Sequence, residues 1–213
     1  MEFSAEYVRT EGETAKGCTN YALSGGSPER YGAVKSFASH YNDINNDINN
    51  DINNDIISIG CGGYEPVLVN ASYALDITPV SRDFLKRAGW PGTFVLGSCT
   101  DLPFPDNKFQ CGLCVEVVEH LPTWHDVEKT FSEINRVCRH WLVTTPLQKG
   151  SVTDHKRALT RDQVEKFAKT YGAKFMRFSL WWFVWKGPHD PEFNHNLINA
   201  HPAPGVPRGA THA

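Results

Sequence analysis

From residue 55 onward the chain alternates short apolar runs with segments of helical periodicity. That alternation marks β-α-β units around a mostly parallel sheet, because parallel neighbours need a crossover long enough to hold a helix. The apolar runs predict strands at 55–59, 72–77, 93–96, 111–117 and 141–145. Thr78 before Pro79 opens a helix with Phe84 and Ala88 on one face and Gly89 at its stop. Over 123–138, Trp124, Val127, Phe131, Ile134 and Cys138 recur at three and four, an amphipathic row. Thr160 and Gln163 have capping-box spacing before a helix that turns Val164, Phe167, Ala168 and Tyr171 inward and ends at Gly172. FMRFSLWWFVWK follows, long enough for a strand pair or for one antiparallel edge strand. The fold class is therefore α/β, doubly wound, with a mostly parallel sheet and an antiparallel edge strand.

The ends read differently. Ser27 and Pro28 start an N-terminal helix carrying Tyr31, Val34, Phe37 and Ala38 at helical spacing. After it, YNDINNDINNDINNDI repeats a four-residue unit over 41–56; its Asn and Asp side chains compete for backbone hydrogen bonds, which favours a solvated loop. The 187–213 stretch, rich in Pro, Asn, Gly and His, has little to bury and reads as a tail. The organisation is thus 1–54 helix and repeat, 55–186 core, and 187–213 tail, with 213 residues suiting one core domain.

Composition narrows the class. A net charge of -3 gives no basic footprint for a nucleic-acid backbone, so nucleic acid is not the expected partner. The acidic start MEFSAEYVRTEGE lacks a signal-peptide pattern, and no apolar run reaches about 18 residues, so neither export nor membrane insertion is expected and the chain reads as cytoplasmic. In that setting the six cysteines are expected to be reduced. Cys111 and Cys114 form a CxxC, but inside a strand, where positions three apart face opposite ways and cannot share a metal. His189, His195, His201 and His212 lack close ligand spacing, so no metal site is expected.

The chemistry concentrates where strands end. IISIGCGG runs a buried strand into glycines, which permit a tight turn and close approach to a ligand. A dinucleotide-binding GxGxxG pattern fails because Glu65 stands where its third glycine belongs. The next strand ends in Asp76, an acid placed to accept from both hydroxyls of a ribose.

With GSCTDLPFPDNKFQCGLCVEVVEHLP added, the sequence resembles the class I S-adenosylmethionine-dependent methyltransferases of the ubiquinone-biosynthesis type, whose fold is Rossmann-like. The resemblance covers about 55–185 and includes LVTTP and DHKRALTRDQVEKFAKTYGAKF. It implies that Gly60, Cys61 and Gly62 lie under the methionine part of S-adenosyl-L-methionine, that Asp76 holds the ribose, and that Ile77 packs on the adenine. It also places Ser98 and Cys99 along the adenine edge, with Ser98 where the family usually has Asp, and Glu116 and Val117 near the sulfonium. Two further departures stand out: the crossover YEPVLVNA leaves room for only a short first helix, and Gln110 replaces the usual Asp after Phe109.

The methyl acceptor is expected to be a small molecule or biosynthetic intermediate, with the N-terminal helix and the 147–159 region covering its site. An imidazole can take a proton from a hydroxyl near neutral pH, which makes His120, His125 and His155 candidates, His120 and His155 foremost. The alternatives are an RNA or protein methyltransferase, and a catalytically silent binding subunit that keeps the fold.

Overall fold

The computed structural model describes residues 28–43, 55–62, 65–148 and 155–193. The cap Ser27, the repeat between 44 and 54, and the tail from 194 with His195, His201 and His212 lie outside these residues.

The chain runs α1 (Pro28–Asp43), β1 (Ile56–Ile59), α2 (Glu65–Leu68), β2 (Tyr73–Asp76), α3 (Pro79–Arg87), β3 (Thr93–Leu96), β4 (Phe109–Val115), α4 (Trp124–Val137), β5 (Cys138–Pro146), α5 (Arg161–Tyr171), β6 (Lys174–Phe178) and β7 (Trp181–Lys186). One sheet takes the order β3-β2-β1-β4-β5-β7-β6. Strands β1 to β5 are parallel, and β7 runs antiparallel between β5 and β6. The strand order reverses between β1 and β4, the switch point where a doubly wound sheet opens a crevice at its carboxyl edge.

The two faces of the sheet carry separate cores. On one, α4 and α5 pack Val127, Phe131, Ile134, Val164 and Phe167 against Ile57, Cys114 and Trp141; the Phe131 and Phe167 rings stack at 4.3 Å. On the other, Ala33, Val34, Phe37 and Tyr41 of α1 cover Ile56, Cys111 and Leu113. Cys111 and Cys114 thus face opposite sides, as strand geometry requires, and both are free thiols.

Local chemistry fixes the element ends. Thr78, Thr123 and Thr160 cap α3, α4 and α5, the last two in full capping boxes, and each such cap contributes about 1 kcal/mol. Gly172 closes α5 at φ +63°, a left-handed turn that a β-carbon would strain. Arg136 on α4 explains the LPF segment: its guanidinium donates to the carbonyls of Leu102 (3.0 Å) and Phe104 (2.7 Å), while Glu133 accepts from the Leu102 amide (2.8 Å).

Four expectations change in detail. β4 starts earlier and stops at Val115, so Glu116, at φ +56°, and Val117 lie past the strand, on the turn above it. Cys138 is the first residue of β5 rather than the last of the helix, because α4 passes into β5 without a loop. α3 buries Ser81 and Leu85; Phe84 is half-buried and Ala88 exposed, since the helix is rotated to bring Ser81 under Asp76. Trp124, expected in the inward row, is exposed. It sits at the first position of α4 with the Arg157 guanidinium 5.0 Å from its ring. The Trp-rich segment resolves as the pair β6 and β7, turning through Ser179 at φ +52°.

Candidate functional site

At the carboxyl end of β1, Gly60 adopts φ +68° and Gly62 φ +54°. The Gly60 and Cys61 amides donate to the Leu75 carbonyl (2.8 and 3.2 Å), which presses the turn onto β2. A β-carbon on Gly60 would lie 2.6 Å from Cγ2 of Val117, so this position is closed to any side chain by both contact and conformation.

Asp76, the last residue of β2, lies directly beneath. Its Oδ2 accepts from the Gly62 amide (3.1 Å), the Ser81 hydroxyl (3.0 Å) and the Cys61 thiol (3.8 Å), and its Oδ1 accepts from the Thr78 amide (3.0 Å). Burial raises its pKa, against the lowering effect of these donors. The carboxylate thus ties the glycine turn to the start of α3. Oδ1, with fewer donors than Oδ2, retains acceptor capacity for a ribose hydroxyl. Ile77 is half-buried beside it. Ser98 is committed locally: its hydroxyl pairs with that of Thr100 (2.7 Å) and accepts from the Thr100 amide (3.0 Å). Cys99 is buried and accepts from the Thr130 hydroxyl (3.4 Å). These residues fit an adenosine-bearing cofactor: a tight glycine turn follows β1, and an acid stands at the end of β2.

Further along the same edge the structure gathers Glu116, expected near the sulfonium, with Glu65 and Glu119, which sequence reading left unassigned. Glu116 pairs with Arg30 of α1 (3.0 Å) and accepts from the Trp181 indole (2.8 Å) and the Thr144 hydroxyl (3.0 Å). Arg30 also approaches Glu65 and Glu119 closely enough to lower the pKa of each. Burial dominates both carboxyls even so. Glu65, which accepts from the Ser58 hydroxyl (2.8 Å), is pushed up to about 8, and Glu119 is raised well above the carboxylate range. Glu119 is fully buried; Oε2 accepts from the Thr145 hydroxyl (3.3 Å), while Oε1 has no hydrogen-bond partner among the described residues.

The two foremost histidines meet at Glu119. His120 and His155 stand edge to face with ring centroids 4.9 Å apart, and His120 Nε2 lies 4.0 Å from Glu119 Oε1. The segment carrying His155 is pinned there because the Glu119 carbonyl accepts from the amides of Lys156 (2.8 Å) and Arg157 (3.3 Å). One ligand atom from each of Glu119, His120 and His155 falls within 4.8 Å of the others, so the set can hold a metal ion. No metal site was expected from the sequence; the cluster joins the adjacent Glu119 and His120 to His155, remote in the chain, and does not use the cysteines or the tail histidines. His125 stays apart, exposed on the first turn of α4. The second Glu of VEVVEH was the one signal in the sequence for Glu119; Arg30, Glu65 and Trp181 carried none.

A family model described as a methyltransferase domain matches residues 57–141, the span from β1 into β5. Solved structures share the fold at low identity. An S-adenosylmethionine-dependent methyltransferase of Clostridium acetobutylicum aligns at 11% identity over 71% of this chain and 89% of its own, with TM-score 0.52. The PH0226 protein of Pyrococcus horikoshii aligns at 15% identity over 65% and 82%, with TM-score 0.51. Against the YcgJ protein of Bacillus subtilis, at 18% identity and TM-score 0.48, the alignment takes in 57% of this chain and 62% of that one, so the chain spans about three-fifths of that protein. No curated protein matches the chain. Among the described residues no helix is long and apolar enough to cross a membrane. The family match gives residues 57–141 a methyltransferase domain, and the sheet order with the glycine turn above Asp76 is that of the Rossmann-like class I fold.

Proposed function

We propose that this chain transfers a methyl group from S-adenosyl-L-methionine to a hydroxyl of a small molecule or biosynthetic intermediate, with Glu119, His120 and His155 forming the acceptor side. The observation that carries this reading is the meeting of His120 and His155 over buried Glu119, along the sheet edge from the Gly60–Asp76 pocket. When bound, the cofactor supplies a methyl carbon already activated by a sulfonium, so the protein's task is alignment and proton removal. Gly60, Cys61 and Gly62 receive the methionine portion, Asp76 the ribose, and Ile77, Ser98 and Cys99 the adenine. Glu116 and Val117 border the reacting end. His155 takes the acceptor's proton, and Glu119 with His120 orients it.

A metal-assisted variant of the same reaction is favoured by the ligand geometry: a carboxylate and two imidazoles make a donor set for a divalent cation, which would hold the acceptor oxygen. Titration with Mn2+, Zn2+ and Mg2+ separates the two versions, the metal-free one requiring unchanged turnover after chelation. An RNA acceptor would need a cationic groove, which the net charge of -3 disfavours. A silent binding subunit would hold cofactor without turnover on any acceptor.

The first test is calorimetric unfolding with S-adenosylhomocysteine. At about 100 times its Kd the ligand should add roughly 2.7 kcal/mol of stability. Asp76→Ala should abolish most of that gain, and an unchanged melting curve in the parent protein overturns the proposal.

A further inference from the structure

A cavity of about 700 Å³ opens beside the histidine segment, on the face of the sheet covered by α5. Its size lies within the range of small-molecule sites. Leu147, Leu159, Phe175 and Trp182 give it apolar walls, and Arg161 and Arg177 stand among its lining residues. The walls are held in place: the Trp182 indole donates to the Leu159 carbonyl (3.1 Å), and the Leu147 amide donates to the Leu180 carbonyl (2.9 Å). Leu147 leaves the carboxyl end of β5, and Leu159 lies four residues beyond His155, so the cavity is walled by the same chain segment that carries this histidine.

Charge distinguishes this cavity from an ordinary surface cleft. Arg161 and Arg177 form no ion pair among the described residues, whereas Arg30 and Arg136 are both paired with carboxylates. Asp162 and Glu165 at the start of α5 line a different groove, and Glu165 is ion-paired with Lys169 and feels Arg161 only as the weakest of its attractions. An apolar hollow with two guanidinium groups outside any ion pair among the described residues suits an apolar body bearing an anion, which Arg can engage with paired donors.

We propose that this cavity binds the distal part of the methyl acceptor, and that the acceptor is an apolar molecule carrying a carboxylate, sulfonate or phosphate group. The inference rests on the reading of the site as a methyl-transfer centre and names its substrate class. Trp182 and Phe175 pack on the apolar body, and Arg161 with Arg177 fixes the anion, which sets the reach from anion to reacting hydroxyl.

The test uses 8-anilinonaphthalene-1-sulfonate, an apolar anion, with the full chain. It should bind saturably at one site, with energy transfer from tryptophan that falls in Trp182→Phe. Losing a charge-assisted contact should weaken binding about tenfold in Arg161→Ala/Arg177→Ala and much less in the double Lys variant. Neutral N-phenyl-1-naphthylamine should bind the parent and the double Ala variant alike. Melting with S-adenosylhomocysteine should be the same in all of them. Unchanged sulfonate affinity after removal of both arginines, or equal affinity of the parent for both probes, overturns the cavity proposal even where the cofactor product binds. Charge-dependent sulfonate binding with no response to S-adenosylhomocysteine overturns the methyl-transfer reading and leaves an anion-binding cavity.

Discussion

Arg30 of α1 and Glu116 above β4 form an ion pair at 3.0 Å with side-chain exposures of only 8% and 17%, so the N-terminal helix is bolted to the edge of the sheet that carries the site. Removing one member of such a pair leaves the other charge buried, at a cost of about 3–5 kcal/mol. Arg30→Met should fall near the lower end, because Glu116 keeps its bonds from Trp181 and Thr144. Arg30→Met/Glu116→Gln should recover part of the loss. Urea denaturation of the three variants decides it, and an Arg30→Met protein as stable as the parent would show the pair to be idle.

Glu65 gives the chain a dependence on pH. Its folded pKa of about 8 lies above the ordinary 4.5, so the folded state holds a proton that the unfolded chain releases. The contribution to stability is full below pH 4.5 and is lost as the pH rises toward 8, at up to about 1.4 kcal/mol per pH unit. Glu65→Gln keeps an acceptor for the Ser58 hydroxyl and carries no charge. Relative to the parent it should gain stability steadily between pH 5 and 8 and level off above. A constant difference across that window would show that Glu65 is ionised in the fold throughout.

The glycine turn makes a steric prediction. Gly60→Ala should destabilise the protein by about 2 kcal/mol or more through its positive φ and the 2.6 Å approach to Val117. It should also abolish the thermal response to S-adenosylhomocysteine. Gly60→Ala/Val117→Ala relieves the contact and leaves the backbone strain, so only part of the stability should return. Full recovery in differential scanning calorimetry would mean that contact alone excludes a side chain there.

His155 separates chemistry from binding. With an acceptor in hand, His155→Ala should lower kcat about 100-fold while the affinity for S-adenosylhomocysteine is unchanged, as expected of a proton acceptor that does not touch the cofactor. A parallel loss of cofactor affinity would give His155 a structural role, through its edge-to-face contact with His120.

Periodicity and turn chemistry made much of the fold legible before any coordinates. The capping residues Thr78 and Thr160 and the stop at Gly172 sit where their spacing placed them, because caps act within one turn of chain. The glycine turn and Asp76 were legible for a similar reason: both belong to adjacent strand ends, and the parallel register fixes their proximity. Trp124 misled, because a helix's first residue can satisfy the apolar row and still project past the core it belongs to. The carboxylates were out of reach for a different reason. Whether Glu65, Glu116 and Glu119 are surface charges or buried acids depends on α1 closing over them with Arg30, and on β7 running back antiparallel to bring Trp181 to Glu116. The sequence alone determined which residues could cap, turn and pair within one β-α unit. Only the tertiary structure decided which charges lose water together, because desolvation is a property of the packed assembly and not of any local stretch of chain.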